Sequence, residues 1–176
     1  MSKRTVLSSD DVRRAITRIS HEILEQNRGT EDLLLLGIPT RGVQIANRIA
    51  EVIKDHSGSD VSAGSIDVTM YRDDLADQPT RAVGETKIPK TGVSGKTVVL
   101  VDDVLFSGRT IRAALDALND HGRPAAVRLA VLVDRGHRQL PIRADFVGKN
   151  LPTALSERIS VRLSEVDGID EVVIQD

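Results

Sequence analysis

The chain contains no cysteine, which excludes disulfides, thiolate nucleophiles and cysteine-based zinc sites. It has no apolar run long enough to span a bilayer and no signal-like start, so a cytoplasmic protein is expected. Aromatic residues are scarce: Tyr71, Phe106 and Phe146 do not make a stacking platform for unpaired bases. Neither sign of charge dominates, and a formal net charge of −2 gives no overall pull toward nucleic acid or membrane. Any RNA site must therefore be a local basic patch. Two nucleotide fingerprints are also missing, for no Gly-x-x-x-x-Gly-Lys-Ser/Thr stretch occurs and no Gly-x-Gly-x-x-Gly follows a strand. Repeats, low-complexity tracts and linkers are absent as well. With 176 residues and 40% hydrophobic content, the chain can bury one core, and a single domain over 1–176 is the expectation.

The stretch from Val98 to Asn119 organises what is present. Val98-Val-Leu-Val101 reads as a buried parallel strand, and Ile111, Ala114, Leu115 and Leu118 repeat at helical spacing. Between them lie Asp102-Asp103, the spacer Val104-Leu105-Phe106, and Ser107-Gly108-Arg109-Thr110. Ligands of open parallel sheets bind beyond the carboxyl ends of the strands, which is where the two acids project. The Ser107 to Thr110 turn opens the helix, so its N–H groups and the helix dipole face any anion placed there. Two adjacent carboxylates repel a bare polyphosphate, but they accept hydrogen bonds from paired ribose hydroxyls or sit behind a divalent cation. A sugar phosphate suits both halves of the site. The stretch resembles the motif by which type I phosphoribosyltransferases bind 5-phosphoribosyl-1-pyrophosphate (PRPP). That resemblance implies that Asp102 and Asp103 hold the ribose hydroxyls and that the residues from Val104 through Ser107 to Thr110 surround the 5-phosphate.

Taken in order, Thr5-Val-Leu7 reads as a short edge strand, and Ser8 or Ser9 caps a helix over Asp10 to Gln26. Val12, Ala15, Ile16, Ile19 and Ile23 share its inner face, while Arg14, Thr17, Arg18 and His21 lie opposite. Because that outer face also carries Glu25, its pattern alone favours solvation over an RNA contact. Leu33-Leu-Leu-Leu36 is the next buried strand. It runs through Gly37-Ile-Pro-Thr40-Arg41-Gly42 into a second helix, and a hydroxyl with an Arg fork at a helix start suits a second anion, here pyrophosphate. Val61 to Tyr71 alternates imperfectly and reads as one or two strands. The charged segment of about 72–90 reads as a loop that closes over the site to exclude water or, from Asp77 to Gly84, as disorder without a role, and Tyr71, Arg72 and Arg81 are candidates to reach the polyphosphate.

Ala126 to Val133 is a further strand, ending in the polar turn Asp134 to Ile142. At the carboxyl edge of the sheet, Arg135, His137 and Arg138 are placed to read an acceptor base, His137 as a hydrogen-bond partner rather than a general base. Ala144 to Val147, Arg158 to Leu163 and Glu171 to Gln175 look like short closing strands. With Leu7 they make a hood, spanning the N-terminal strand and about 135–176. The fold expected is α/β: the type I phosphoribosyltransferase fold, a central parallel sheet flanked by helices with a small β hood.

Beyond the ribose-phosphate motif, five segments resemble one branch of that family, the regulators of pyrimidine operons. They are Arg13 to Glu22, Gly37 to Gly42, Ile66 to Asp74, Val131 to Asp145 and Val147 to Asn150. Val133-Asp-Arg-Gly-His-Arg138 is the most specific, for phosphoribosyltransferases in general do not share it. The resemblance implies an RNA-binding regulator that senses UMP or UTP and also converts uracil and PRPP to UMP and pyrophosphate with Mg²⁺. In this reading the metal is held through PRPP and the Asp102/Asp103 pair, and Thr40 and Arg41 take the leaving charge. Backbone near Val161 closes over the base. Phe106 stands where hypoxanthine-guanine enzymes carry an Asp for the purine N7, which favours a pyrimidine. Binding to pyrimidine-operon mRNA falls to Arg14, Thr17, Arg18, His21, Arg143 and Lys149, with Gln26 departing from a basic residue in relatives. A homo-oligomer, dimer or higher, is implied too. The alternatives are a salvage phosphoribosyltransferase whose basic helix is only solvated, and a nucleotide sensor without turnover.

Overall fold

The computed structural model describes residues 2–74 and 84–176. Five parallel strands form the main sheet in the order β3-β2-β4-β5-β6, and three antiparallel strands form a second sheet in the order β1-β8-β7. In the main sheet β2 is Leu33–Gly37, β3 Ser62–Ser65, β4 Thr97–Leu105, β5 Ala126–Asp134 and β6 Phe146–Asn150. The hood consists of β1 (Lys3–Leu7), β7 (Arg158–Arg162) and β8 (Glu171–Gln175). Helix α1 (Ser9–Asn27) begins with the reciprocal cap expected of Ser8, whose hydroxyl accepts from Asp11 N while the Asp11 carboxylate accepts from Ser8 N. It ends at Arg28 in the left-handed conformation.

Leucines and valines of successive parity separate the two faces of the sheet. Leu33, Leu35, Val99 and Val101 join one core with the inner faces of α1 and α2 (Arg41–Ser57), while Leu34, Leu36, Val98 and Leu100 join another with α3 (Arg109–Asn119). Each fully buried Leu or Val stabilises the fold by about 1.5–3 kcal/mol, so register in these central strands is strongly specified. From β2 the chain crosses through α2 to β3 on one side; from β4 it crosses through α3 to β5 on the other. The loops after β2 and β4 diverge to opposite faces, and the crevice between them is where this topology places a ligand.

Three details differ from the sequence reading. First, Val61 to Tyr71 yields one short strand, β3, and then a 3-10 turn at Thr69–Tyr71, because Ile66 and Val68 turn down into the α3-side core. Second, the segment from Phe146 is not part of the hood. As β6 it pairs in parallel with β5, and Phe146 packs into the α1/α2 core, so the hood takes its C-terminal strands only from β7 onward. Third, β4 continues beyond Val101 to Leu105, pairing Asp102 with Val131 and Val104 with Val133. The two acids therefore sit inside a hydrogen-bonded strand end, not in a free loop.

Candidate active site

A cavity of about 540 Å³ lies over the carboxyl ends of β2 and β4, lined among others by Thr40, Arg41, Asp67, Thr69, Arg72, Asp102, Asp103, Val104 and Thr110. Asp102 is 8% exposed. Its Oδ1 accepts from Asp103 N at 2.8 Å, and Asp103 Oδ1 accepts from Val104 N at 2.8 Å. Burial first, and the neighbouring Asp103 carboxylate second, push the Asp102 carboxyl well above the usual carboxylate range, with Arg72 opposing them. A carboxyl held in that state favours an incoming cation or hydroxyl donor that restores its ionised form.

The turn after β4 is fixed by its own surroundings. Ser107 O accepts from Gln139 N at 2.9 Å and Leu140 N at 3.2 Å, and its hydroxyl accepts from Arg109 N. Gly108 has φ +92°, and a Cβ there would stand 3.3 Å from Ile142. Gly108, the N-cap, has no side chain to cap α3, so apart from Arg109 N, which donates to the Ser107 hydroxyl, the helix start remains open to an anion. Leu105 is buried in the core below. The root of the following loop docks here: Arg72 donates to Thr110 Oγ1 at 3.0 Å and grips Asp74 through two nitrogens. Arg109 pairs with Asp73, and the Tyr71 hydroxyl donates to Asp120. Arg81 lies outside the described residues.

Across the cavity, Ile38 N donates to Val101 O at 2.9 Å, holding the β2–α2 loop against β4. The approach is so close that a Cβ on Gly42 would stand 2.4 Å from Val101 O, which is why glycine occupies that position. Thr40 makes no capping bond through its side chain and faces the cavity. Arg41 forms a two-point pair with Asp167 of α4 (Ser164–Asp167) at 2.7 and 3.1 Å. The hydrogen bonds that Arg41 donates to Asp167, more than the charge of Asp103, hold its guanidinium above its ordinary pKa.

The predicted base readers gather around Phe106, beside this cavity and not inside it. Arg135 lies 4.3 Å over the Phe106 ring and donates to Thr153 Oγ1 and Ala154 O. The His137 ring meets Thr153 O and approaches Phe106 edge-on. Arg138 has spent three nitrogens on Ile142 O, Phe106 O and Asp134, so it braces the turn. Together Arg135, His137 and Arg138 line a second cavity of about 420 Å³ with Asn150 and Thr153. Val161 is 3% exposed within the core, which leaves only its backbone for any contact.

The basic residues assigned to RNA are only partly brought together. On α1, Arg14 pairs with Asp11, Thr17 donates back to Arg13 O, and His21 packs edge-on against His56 of α2. Arg18 bonds Glu22 and the Val147 and Gly148 carbonyls of β6. Lys149 is exposed, and its charge acts on Asp11. Arg143 instead lines a groove with Ile111 and Leu115 in the α3 layer, on the other side of the edge strand. Sequence reasoning missed Asp67 and Thr69, which fell within an expected strand, and Asp167, whose partner is distant in the chain. Among the described residues no cluster of three or more metal-ligating side chains occurs, and no helix is long and apolar enough to cross a membrane.

This fold and crevice are those of the type I phosphoribosyltransferases, and the family model of the phosphoribosyl transferase domain matches residues 4–161. Solved structures agree on the fold: a hypoxanthine-guanine phosphoribosyltransferase from Bacillus anthracis superposes with TM-score 0.74 at 19% identity, covering 98% of each chain. A hypoxanthine phosphoribosyltransferase from Trypanosoma cruzi gives 0.75 at 17% identity over 98% of this chain and 94% of that one. Sequence relatives are narrower. The bifunctional protein PyrR of Leifsonia xyli is 67% identical over 100% of this chain and 98% of its own length. That of Streptomyces coelicolor is 61% identical, over 97% and 89% respectively. The chain belongs to the bifunctional PyrR family of phosphoribosyltransferases.

Proposed function

We propose that this protein regulates pyrimidine genes by binding the leader of its operon transcript in response to UMP or UTP, and that it transfers the phosphoribosyl group of PRPP to uracil. The observation that carries the reading is the placement of paired carboxylates, an open helix start and the Thr40–Arg41 loop around one cavity. Asp102 and Asp103 accept hydrogen bonds from the ribose 2- and 3-hydroxyls, and the Ser107 to Thr110 amides receive the 5-phosphate. Thr40 and Arg41 receive the pyrophosphate. Uracil N1 forms a bond to C1 of the ribose as the C1–oxygen bond to pyrophosphate breaks, the N1 proton passes to water, and the acids stabilise the positive charge that develops at C1. Arg135 and His137, beside Phe106, orient the base. Holding both reactants in line accounts for the catalysis without a covalent intermediate.

Phosphoribosyltransferases use Mg²⁺ with PRPP, and the donors present suit it: two adjacent carboxylates are an all-oxygen pair for a hard cation that takes its other ligands from phosphates. When bound, Mg²⁺ neutralises charge on the leaving pyrophosphate. For RNA, Arg14, Thr17, Arg18, His21 and Lys149 supply a local surface on α1 and β6, and Arg143 reaches the transcript from the α3 side. Assembly as a homo-oligomer extends that surface. Incubation with uracil, PRPP and Mg²⁺ should yield UMP and pyrophosphate; no product rejects the transferase half. A gel shift with the operon leader should strengthen with UMP and weaken steeply with salt, and binding no tighter than to a scrambled leader rejects the regulatory half.

A further inference from the structure

Arg41 stands between two acids. Asp103 lies near enough for its charge to act on the guanidinium, while Asp167 engages it directly through Nε and Nη2. A guanidinium held by that edge keeps Nη1 and the outer N–H of Nη2 free, a second fork suited to phosphate oxygens. Asp167 is itself anchored: its Oδ2 accepts from Leu163 N at 2.8 Å. The turn that carries it is clamped to α2 by Arg48, which grips Glu165 and Asp170. The hood thus presents a fixed carboxylate to the first residue of α2.

We infer that Asp167 is a positioning residue for PRPP: from the hood it holds Arg41 by one edge and aims the other at the pyrophosphate. This rests on the phosphoribosyl-transfer reading of the site, and it gives the hood a part in holding the leaving group. The test compares Asp167→Asn with Asp167→Glu and Asp167→Ser in the full chain. Asp167→Asn should raise the KM for PRPP about tenfold and weaken pyrophosphate binding, measured by calorimetry, by a similar factor. The KM for uracil and the Tm should stay close to wild type. Asp167→Glu should recover most of the loss, and in an Arg41→Ala background Asp167→Asn should add nothing. Asp167→Ser retains an acceptor for Leu163 N–H and reads the same effect should the Asn variant not fold. A PRPP KM within twofold of wild type in a folded variant overturns the inference, as does full additivity with Arg41→Ala. Wild-type protein that fails to turn over uracil, yet binds pyrophosphate in an Asp167-dependent way, would overturn the transferase reading and leave this role standing.

Discussion

Two loops face each other across the cavity, each following a buried parallel strand and opening a helix, yet they are held in different ways. The β4–α3 turn is set by a left-handed glycine of its own and by the Ser107 carbonyl, which accepts from Gln139 and Leu140 of the turn after β5. In the β2–α2 loop the backbone is pressed onto β4, but the functional side chain takes its direction from Asp167, 126 residues further along. The groups that the first loop presents to the cavity lie together in one short stretch of sequence, although distant segments brace it. The second loop's Arg41 is paired with a carboxylate that only the folded chain brings to it, and this couples that side of the site to the hood.

The largest effect should come from the residue between the two loops. Asp103→Asn should lower turnover about a hundredfold or more with an unchanged Tm, and unaltered turnover would show that neither loop relies on it. Next come the glycines, which separate two kinds of constraint. Gly42→Ala drives a methyl into the Val101 carbonyl at 2.4 Å, and should destabilise by about 1–3 kcal/mol or more, measured by urea unfolding. Gly108→Ala meets only Ile142 at 3.3 Å and mainly bears the left-handed backbone, about 1–2 kcal/mol. Its clearer signature should be weaker binding of ribose 5-phosphate. If Gly108→Ala proves the more destabilising, the account of the two loops is reversed.

The smallest effect is a pH dependence. Burial and Asp103 raise the Asp102 carboxyl in the folded chain, so the native state holds that proton more firmly than the unfolded state does. Stability is therefore lost as pH rises from the ordinary carboxylate range through the raised value, and it stays lost above it. Asp102→Asn should have a higher Tm than wild type near neutral pH, by about 2–4 °C per kcal/mol recovered. The gain should shrink toward acid, where the wild-type carboxyl is already protonated. A Tm difference that is flat with pH would remove Asp102 as its source.

What the sequence revealed follows the same division. Leu33 to Leu36, Val98 to Val101 and a serine cap at Ser8 or Ser9 are legible because periodicity and capping are local, while the choice of Ser8 and its reciprocal bond with Asp11 come from the structure. The acids and the Ser107 to Thr110 turn were legible as an ordered set of parts. The segment from Phe146 was assigned to the hood because a short edge strand containing Gly148 and Lys149 carries no sign of which sheet it joins. Asp67 lies in the family-like segment Ile66 to Asp74 but nothing local singles it out, and Asp167 gives no signal at all: such acids acquire a role only from what folds against them. Arg138 shows a divided case: each of its nitrogens donates once within the fold, and the outer N–H groups of Nη1 and Nη2 are what it keeps for a ligand.

Asp102 and Asp103 are consecutive in a paired strand, and each answers to a different helix. Arg72, bonded to the first turn of α3, acts on Asp102, whereas the charge of Asp103 acts on Arg41 at the start of α2. A sugar grasped by both carboxylates must sit astride the sheet like a rider in a saddle, one leg toward each layer of helices. Binding would then brace both flanks at once, so amide exchange at the starts of α2 and α3 should slow in step.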